Sequence, residues 1–139
     1  MRAGELTVDT SGRRIVDITE QVHRFVSDGE DDGLLHLFLT HATAGLALIE
    51  TGAGSEEDLA EAIERLLPRD DRYAHGHGST GHGADHLLPA FVSPSLVVPV
   101  RGGRMRLGTW QRIVVVDPNR ENDRRTLILS LLSAIIPGA

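Results

Sequence analysis

The chain contains no cysteine among its 139 residues. Thiolate zinc fingers and iron–sulfur clusters are therefore excluded, and any metal site has to use histidine, aspartate or glutamate ligands. Long apolar runs are also missing, because the longest one, 127–136, is too short to span a bilayer. The N-terminal stretch MRAGELTVDT lacks the pattern of a signal peptide. We therefore expect a cytoplasmic protein without a membrane partner.

Positive charge is scarce as well. Fourteen lysines and arginines face 20 aspartates and glutamates, which gives a net charge of -6 and argues against nucleic-acid binding. One basic stretch departs from this balance and could meet phosphate groups or keep a strand edge from pairing; it holds Arg101, Arg104, Arg106 and Arg112. The length predicts a single domain over residues 1–139, and no repeat or linker divides it.

Histidine and glycine are concentrated in residues 73–86, which read YAHGHGSTGHGADH. This stretch contains four of the seven histidines, namely His75, His77, His82 and His86. Neutral imidazole is the commonest metal ligand, and glycine lets the backbone wrap closely around a ligand. Asp85 is placed to orient a neighbouring imidazole. The pattern indicates a site for a cation or a phosphorylated substrate, and an adventitious metal-binding surface patch is the alternative.

Hydrophobic periodicity predicts two helices, one beginning at Thr19 and one over 55–67. The dipeptide Ser11-Gly12 predicts a hairpin between strands at 6–10 and 14–18. Further strands are predicted at 34–39, 46–50, 96–100, 104–108 and 110–116. The segment 126–136 is compatible with a buried helix or a strand, because its length and composition suit both.

Three segments are informative together: THATAGLALIE at 40–50, the histidine-rich stretch at 73–86, and GRMRLGTWQ at 103–111. In this order they resemble the YjbQ-like family of secondary thiamine-phosphate synthases. The family pattern consists of HTSAGL, an Asn-Glu pair, a Tyr-x-His loop that closes on a histidine, and GRLxLGTWQ. The order of the segments agrees, the span from Tyr73 to His86 has the family's length, and the resemblance covers roughly residues 34–116.

This resemblance implies an α+β fold, mainly antiparallel β-sheet of sandwich or barrel type with two α-helices, that assembles as a homotrimer. It also favours a strand for the last segment. His41, His75 and His86 occupy the positions of the family's recurrent histidines, and we expect them to be metal ligands. Glu50 occupies the position of its recurrent acid and is expected to act as a base or an orienting group.

The chain departs from the family pattern before His86 and before Glu50. Residues 78–84 replace a segment that usually contains two acids, and Ile49 replaces the usual asparagine. His77 and His82 are therefore candidates to replace or extend the set of metal ligands. The chain resembles a divergent, histidine-rich branch of the family.

The activity that the resemblance implies is a metal-dependent transfer, with zinc or magnesium as the cofactor. A pyrimidine diphosphate would be joined to a thiazole phosphate with release of pyrophosphate, and the metal and Arg104 would neutralise the leaving group. Gln111 is a further catalytic candidate, and Asp85, Thr109 and Trp110 are expected around the metal or the substrate. Two alternatives stay open, a non-catalytic trimer that binds metal or a phosphometabolite, and a metal-dependent hydrolase.

Overall fold

Alternating apolar residues pair the strands into two antiparallel sheets in the computed structural model, which describes residues 1–133. The strands are β1 Arg2–Asp9, β2 Ile15–Asp17, β3 Gly33–Leu39, β4 Gly45–Ile49, β5 Ser95–Arg101, β6 Arg104–Met105, β7 Arg112–Val116 and β8 Arg124–Ser133. The helices are α1 Thr19–Val26, α2 Ser55–Leu66 and α3 His82–Leu87, and a 3-10 turn follows over Leu88–Ala90.

The larger sheet has five strands in the order β1-β8-β3-β5-β6. Its inner face is built by alternate residues of β3, Leu35, Leu37 and Leu39, which are buried because successive side chains of a strand point to opposite faces. The residues between them, including Leu34 and Phe38, point outward and stay exposed. The outer face of the five-stranded sheet therefore carries a group of exposed apolar side chains in the single chain.

The smaller sheet has the order β2-β7-β4 and is buried on both faces. On one side of β7, Ile113 and Val115 pack into the core between the two sheets, which α1 closes. On the other side, Val114 and Val116 pack into a second core. That core is completed by Ile63 of α2, Leu67 directly after α2, Ala84 of α3 and Leu88 of the 3-10 turn. The molecule is thus layered as five-stranded sheet, three-stranded sheet and helices.

The predicted α+β class with mainly antiparallel strands is confirmed, but the predicted hairpin between the first two strands is wrong. β1 pairs with β8, with Leu6 opposite Leu127, and β2 pairs with β7, with Ile15 opposite Val116. The turn after β1 is held by Asp9, whose carboxylate accepts hydrogen bonds from the backbone and side chain of Ser11. The chain passes at this turn from the five-stranded to the three-stranded sheet. The turn at Ser11-Gly12 was therefore predicted correctly, but β1 and β2 do not pair with each other.

The number of helices also differs from the expectation, because the described residues contain three and not two. The additional helix is α3, which lies inside the histidine-rich stretch. Of the two alternatives for 126–136, a buried helix or a strand, the strand is correct as far as Ser133, where β8 ends. Residues 134–136 lie outside the described residues. No helix within 1–133 has the length and apolar character needed to span a membrane.

A buried ion pair joins the two sheets. Arg125 of β8 donates from Nε and Nη2 to the two carboxylate oxygens of Asp117, which follows β7, at 2.8 Å each. Thr10 donates a further hydrogen bond of 2.5 Å to the same carboxylate. The side chains of Arg125 and Asp117 are 1% and 0% exposed. Because both charges are out of water, each depends on the other for its compensation.

We predict that Asp117→Ala lowers the free energy of unfolding by about 3–5 kcal/mol, because it leaves the buried guanidinium of Arg125 without a counter-charge. Urea denaturation of the variant and the wild type measures this loss. The matched control is Glu61→Ala, which removes the exposed partner of Arg65 on α2. Its loss should stay below about 1 kcal/mol, and equal losses in the two variants would contradict the assigned importance of the buried pair.

Candidate metal centre

The four histidines of the 73–86 stretch come from two kinds of backbone. His82 and His86 lie on α3 four residues apart, a spacing that places both rings on one face of a helix. His75 and His77 lie in the glycine-rich segment that precedes the helix. Gly81 caps α3 with φ 88°, and a Cβ there would lie 2.8 Å from the side chain of Arg69, so the turn into the helix requires glycine.

The four rings form one compact group, which we call the histidine cluster: His75, His77, His82 and His86. One ring nitrogen from each of them lies within 4.8 Å of the corresponding atoms of the others. The Nε2 atoms of His82 and His86 are 2.8 Å apart, so one of these rings donates to the other. Both helix histidines are half-buried, whereas His75 and His77 are exposed. The cluster therefore has a fixed half and an adaptable half.

The surroundings of the cluster favour neutral imidazole. Loss of solvent lowers the pKa of His75, and the nearby rings of His77 and His82 lower it further. The pKa of His86 is lowered in the same way, first by burial and then by the neighbouring histidines. A metal ion binds the neutral ring through a lone pair, so these shifts keep ligand atoms available near neutral pH.

Asp85 lies on α3 between the two helix histidines but points into the protein. Its side chain is 1% exposed and accepts hydrogen bonds from Nη1 of Arg69 and, at 2.9 Å, from Nδ2 of Asn119. Burial raises the pKa of Asp85, although the bonds from Asn119 and Arg69 oppose this shift. The expected contact of Asp85 with an imidazole is not what the structure shows. Asp85 instead fixes α3 to the loop after β7.

Glu121 is the residue near the cluster that the sequence analysis missed. Its Oε2 lies 3.3 Å from Nδ1 of His82, and its Oε1 accepts hydrogen bonds from the backbone N–H, at 3.2 Å, and the hydroxyl of Ser79. Glu121 lies in a polar loop 35 positions after His86, with no motif around it. Only the three-dimensional contact between that loop and α3 shows its position.

His41 and Glu50 are not members of the histidine cluster. His41 follows β3, and its Nε2 accepts a hydrogen bond of 2.7 Å from the backbone N–H of Thr126. Burial lowers the pKa of His41, and the charge of Arg125 lowers it further. Glu50 is exposed at the end of β4. The role of His41 as a metal ligand and that of Glu50 as a base or orienting acid stay predictions, and neither residue belongs to the histidine cluster.

The other predicted site residues lie in β6 and in the turn between β6 and β7. Arg104, Thr109 and Gln111 line an open surface depression that contains none of the clustered histidines. Oε1 of Gln111 accepts a hydrogen bond of 2.7 Å from the backbone N–H of Gly108, which closes the turn before β7. Trp110 is 71% exposed and does not anchor the core. The resemblance placed Arg104, Thr109, Trp110 and Gln111 in one site with the histidine-rich stretch. In the single chain these residues do not lie in the histidine cluster.

These features define an α+β protein whose curled antiparallel sheets carry a histidine cluster on the helical side. A family model described as "UPF0047 protein YjbQ-like" matches residues 4–134. The chain belongs to this family, and the predicted resemblance is confirmed.

Three relatives illustrate the match. A UPF0047 protein of Mycobacterium bovis is 63% identical over 127 residues, which are 91% of this chain and 98% of the relative. The crystal structure of a hypothetical protein of Aeropyrum pernix K1 superposes with a TM-score of 0.86 at 35% identity, covering 96% of this chain and 100% of the other. A YjbQ-like protein of unknown function from Sulfolobus solfataricus P2 gives 0.87 at 28% identity, covering 96% and 97%.

The comparisons correct the predicted activity. The relatives are described as UPF0047 or YjbQ-like proteins without a stated reaction, and the Sulfolobus solfataricus protein is described as one of unknown function. They support neither thiamine-phosphate synthesis nor dependence of a reaction on metal, so the expected transferase assignment is replaced by family membership alone.

We predict that Asp85→Ala lowers the free energy of unfolding by about 1–3 kcal/mol, because Arg69 and the amide of Asn119 lose a buried acceptor. Thermal or urea denaturation measures the change. Asp71→Ala serves as the control, because Asp71 is exposed in the segment between α2 and α3. Its effect on the free energy of unfolding should stay within about 0.5 kcal/mol. If both variants unfold like the wild type, Asp85 does not anchor α3.

Proposed function

We propose that the protein binds a divalent transition-metal ion, with zinc as the preferred candidate, through the histidine cluster. The observation that supports this proposal is the convergence of four imidazole nitrogens to within 4.8 Å of one another. Four nitrogen ligands suit the tetrahedral coordination of zinc, whereas magnesium prefers oxygen ligands. Of the two cofactors expected from the sequence, the donor set therefore favours zinc.

The distances fit a site that closes slightly around the ion. Zinc–nitrogen bonds of about 2.0–2.1 Å place tetrahedral ligand atoms about 3.4 Å apart. The pair formed by His82 and His86, at 2.8 Å, has to open a little, and the widest separations have to contract. His75 and His77 can supply the contraction, because both are exposed and adjacent to Gly76, whereas the short pair opens by a small rotation of either helix side chain. The two helix histidines supply the fixed side of the site.

The burial of the ligands also favours a binding site over a surface patch. His82 and His86 are half-buried on a helix that Asp85 fixes from the inside. An adventitious patch consists of exposed side chains that ordinary surface positions bring together, whereas two of these four rings are half-buried on one helix. Four protein ligands would occupy every position of a tetrahedral ion, which is the arrangement of closed sites.

We predict that the wild-type protein binds one zinc or cobalt(II) ion per chain, and that His86→Ala weakens binding by more than the roughly 10–100-fold loss typical of residues that only support a ligand. Calorimetry with zinc and the visible spectrum of tetrahedral cobalt(II) measure this. His23→Ala is the control, because His23 lies on α1 outside the cluster. Absence of saturable binding in the wild type, or an equal loss in both variants, would contradict the proposal.

The homotrimer expected from the resemblance is also retained as a proposal. It is supported by the apolar outer face of the five-stranded sheet, where four large side chains are 40–55% exposed. They are Leu34, Phe38, Val97 and Leu132. Adjacent apolar side chains on a sheet of this kind are typical of surfaces that associate. The phosphorylated small molecule expected as a partner stays a prediction.

We predict that Val97→Glu on this face converts the assembly to monomers, because the added charge would be buried at the contact. Light scattering coupled to gel filtration measures the mass, and circular dichroism shows whether the fold is kept. Leu66→Glu is the matched control, since Leu66 is 75% exposed on α2 at the opposite layer. A wild-type monomer, or dissociation by Leu66→Glu alone, would contradict this use of the outer face.

A further inference from the structure

We propose that Glu121 is a positioning residue for the histidine cluster, which selects the tautomer of His82 that can bind a metal ion. This inference rests on the metal-binding function proposed above and adds a residue that lies outside the histidine-rich stretch. Its starting point is the ring of His82, which is 11% exposed and has two nitrogens in different surroundings.

The two ring nitrogens of His82 face different partners. Nε2 points into the cluster, 2.8 Å from Nε2 of His86. Nδ1 is buried and has no hydrogen bond of good geometry, but the Oε2 atom of Glu121 lies 3.3 Å from it. A neutral imidazole carries one proton, so the two sides of the ring compete for it. A carboxylate can only accept, and it therefore favours the proton on Nδ1.

That choice leaves a lone pair on Nε2, where the cluster would hold the ion. Metal-bound histidines usually donate their other ring N–H to a carboxylate or carbonyl, which fixes both the tautomer and the orientation of the ring. The contact of 3.3 Å between Oε2 of Glu121 and Nδ1 of His82 is slightly longer than the usual range of an N–H···O hydrogen bond. Glu121 is thus on the correct side of His82 for this role.

Glu121 is itself held in place from two directions. Ser79 donates two hydrogen bonds to Oε1, which leaves Oε2 directed at His82. The backbone N–H of Glu121 donates to Oδ1 of Asn119 at 3.0 Å, and Asn119 in turn donates to Asp85 on α3. His82 and Asp85 are three residues apart on the same helix, so the loop after β7 contacts α3 at two neighbouring positions.

Substitution by glutamine separates the tautomer effect from a simple anchoring effect. In Glu121→Gln, the amide oxygen remains the acceptor for the backbone N–H and hydroxyl of Ser79, because both can donate. The amide NH2 group then faces Nδ1 of His82 and requires a lone pair there. The proton moves to Nε2, and the ligand atom of His82 is blocked, although the loop keeps its anchor.

The experiment compares wild type, Glu121→Gln and Asp123→Asn by nitrogen NMR of the histidine rings without metal and by zinc calorimetry. Asp123→Asn controls for the lost charge, because Asp123 is exposed two positions away. At mildly alkaline pH, where imidazoles are neutral, His82 should carry its proton on Nδ1 in the wild type and the control, and on Nε2 in Glu121→Gln. Zinc affinity should fall about 10–100-fold in Glu121→Gln only.

The two readouts have separate consequences. An unchanged His82 tautomer in Glu121→Gln, or equal affinity losses in Glu121→Gln and Asp123→Asn, would overturn the positioning role even if the wild type binds zinc tightly. If the wild type binds no zinc, the proposed function fails, and the metal-free NMR comparison still decides whether Glu121 controls the tautomer of His82.

Discussion

The structure depends on β7 being apolar on both faces. Ile113 and Val115 belong to the core between the sheets, and Val114 and Val116 belong to the core beneath the helices. A strand with one solvated face would leave α2 and α3 without a surface to pack on. The position of the histidine cluster is therefore set indirectly, because Ala84 places α3 against this second core. The histidine cluster is built on the far side of a strand that contributes none of its residues.

Polar contacts then refine what the apolar packing permits. α3 is a six-residue helix, too short to be stable on its own. Asp85 fixes this helix through Arg69 and Asn119, and His82 and His86 each contribute a ring nitrogen to the cluster. The loop after β7 contacts two neighbouring positions of α3, since Asn119 contacts Asp85 and Glu121 approaches His82. The same short loop thus serves fold and site.

Local patterns were sufficient for most strands and for two helices, because apolar periodicity follows directly from burial. The β7 run and the buried positions of β3 are examples. The N-terminal hairpin failed because a turn residue specifies a reversal of the chain, and not which strand comes to lie beside it. The helix α3 was missed because its six residues, with Gly83 and three polar side chains among them, give no apolar period. Glu121 could not be found, because its contact with His82 is between distant segments.

The layered order of the molecule has a consequence for an assembly. The apolar outer face belongs to the first layer, and the histidine cluster lies beside the helices of the last layer, with the three-stranded sheet between them. All four histidines come from one chain. Association through the outer face would therefore leave every cluster complete within its own chain. Each chain of an oligomer would take up an ion independently, with a simple hyperbolic isotherm and no cooperativity between subunits.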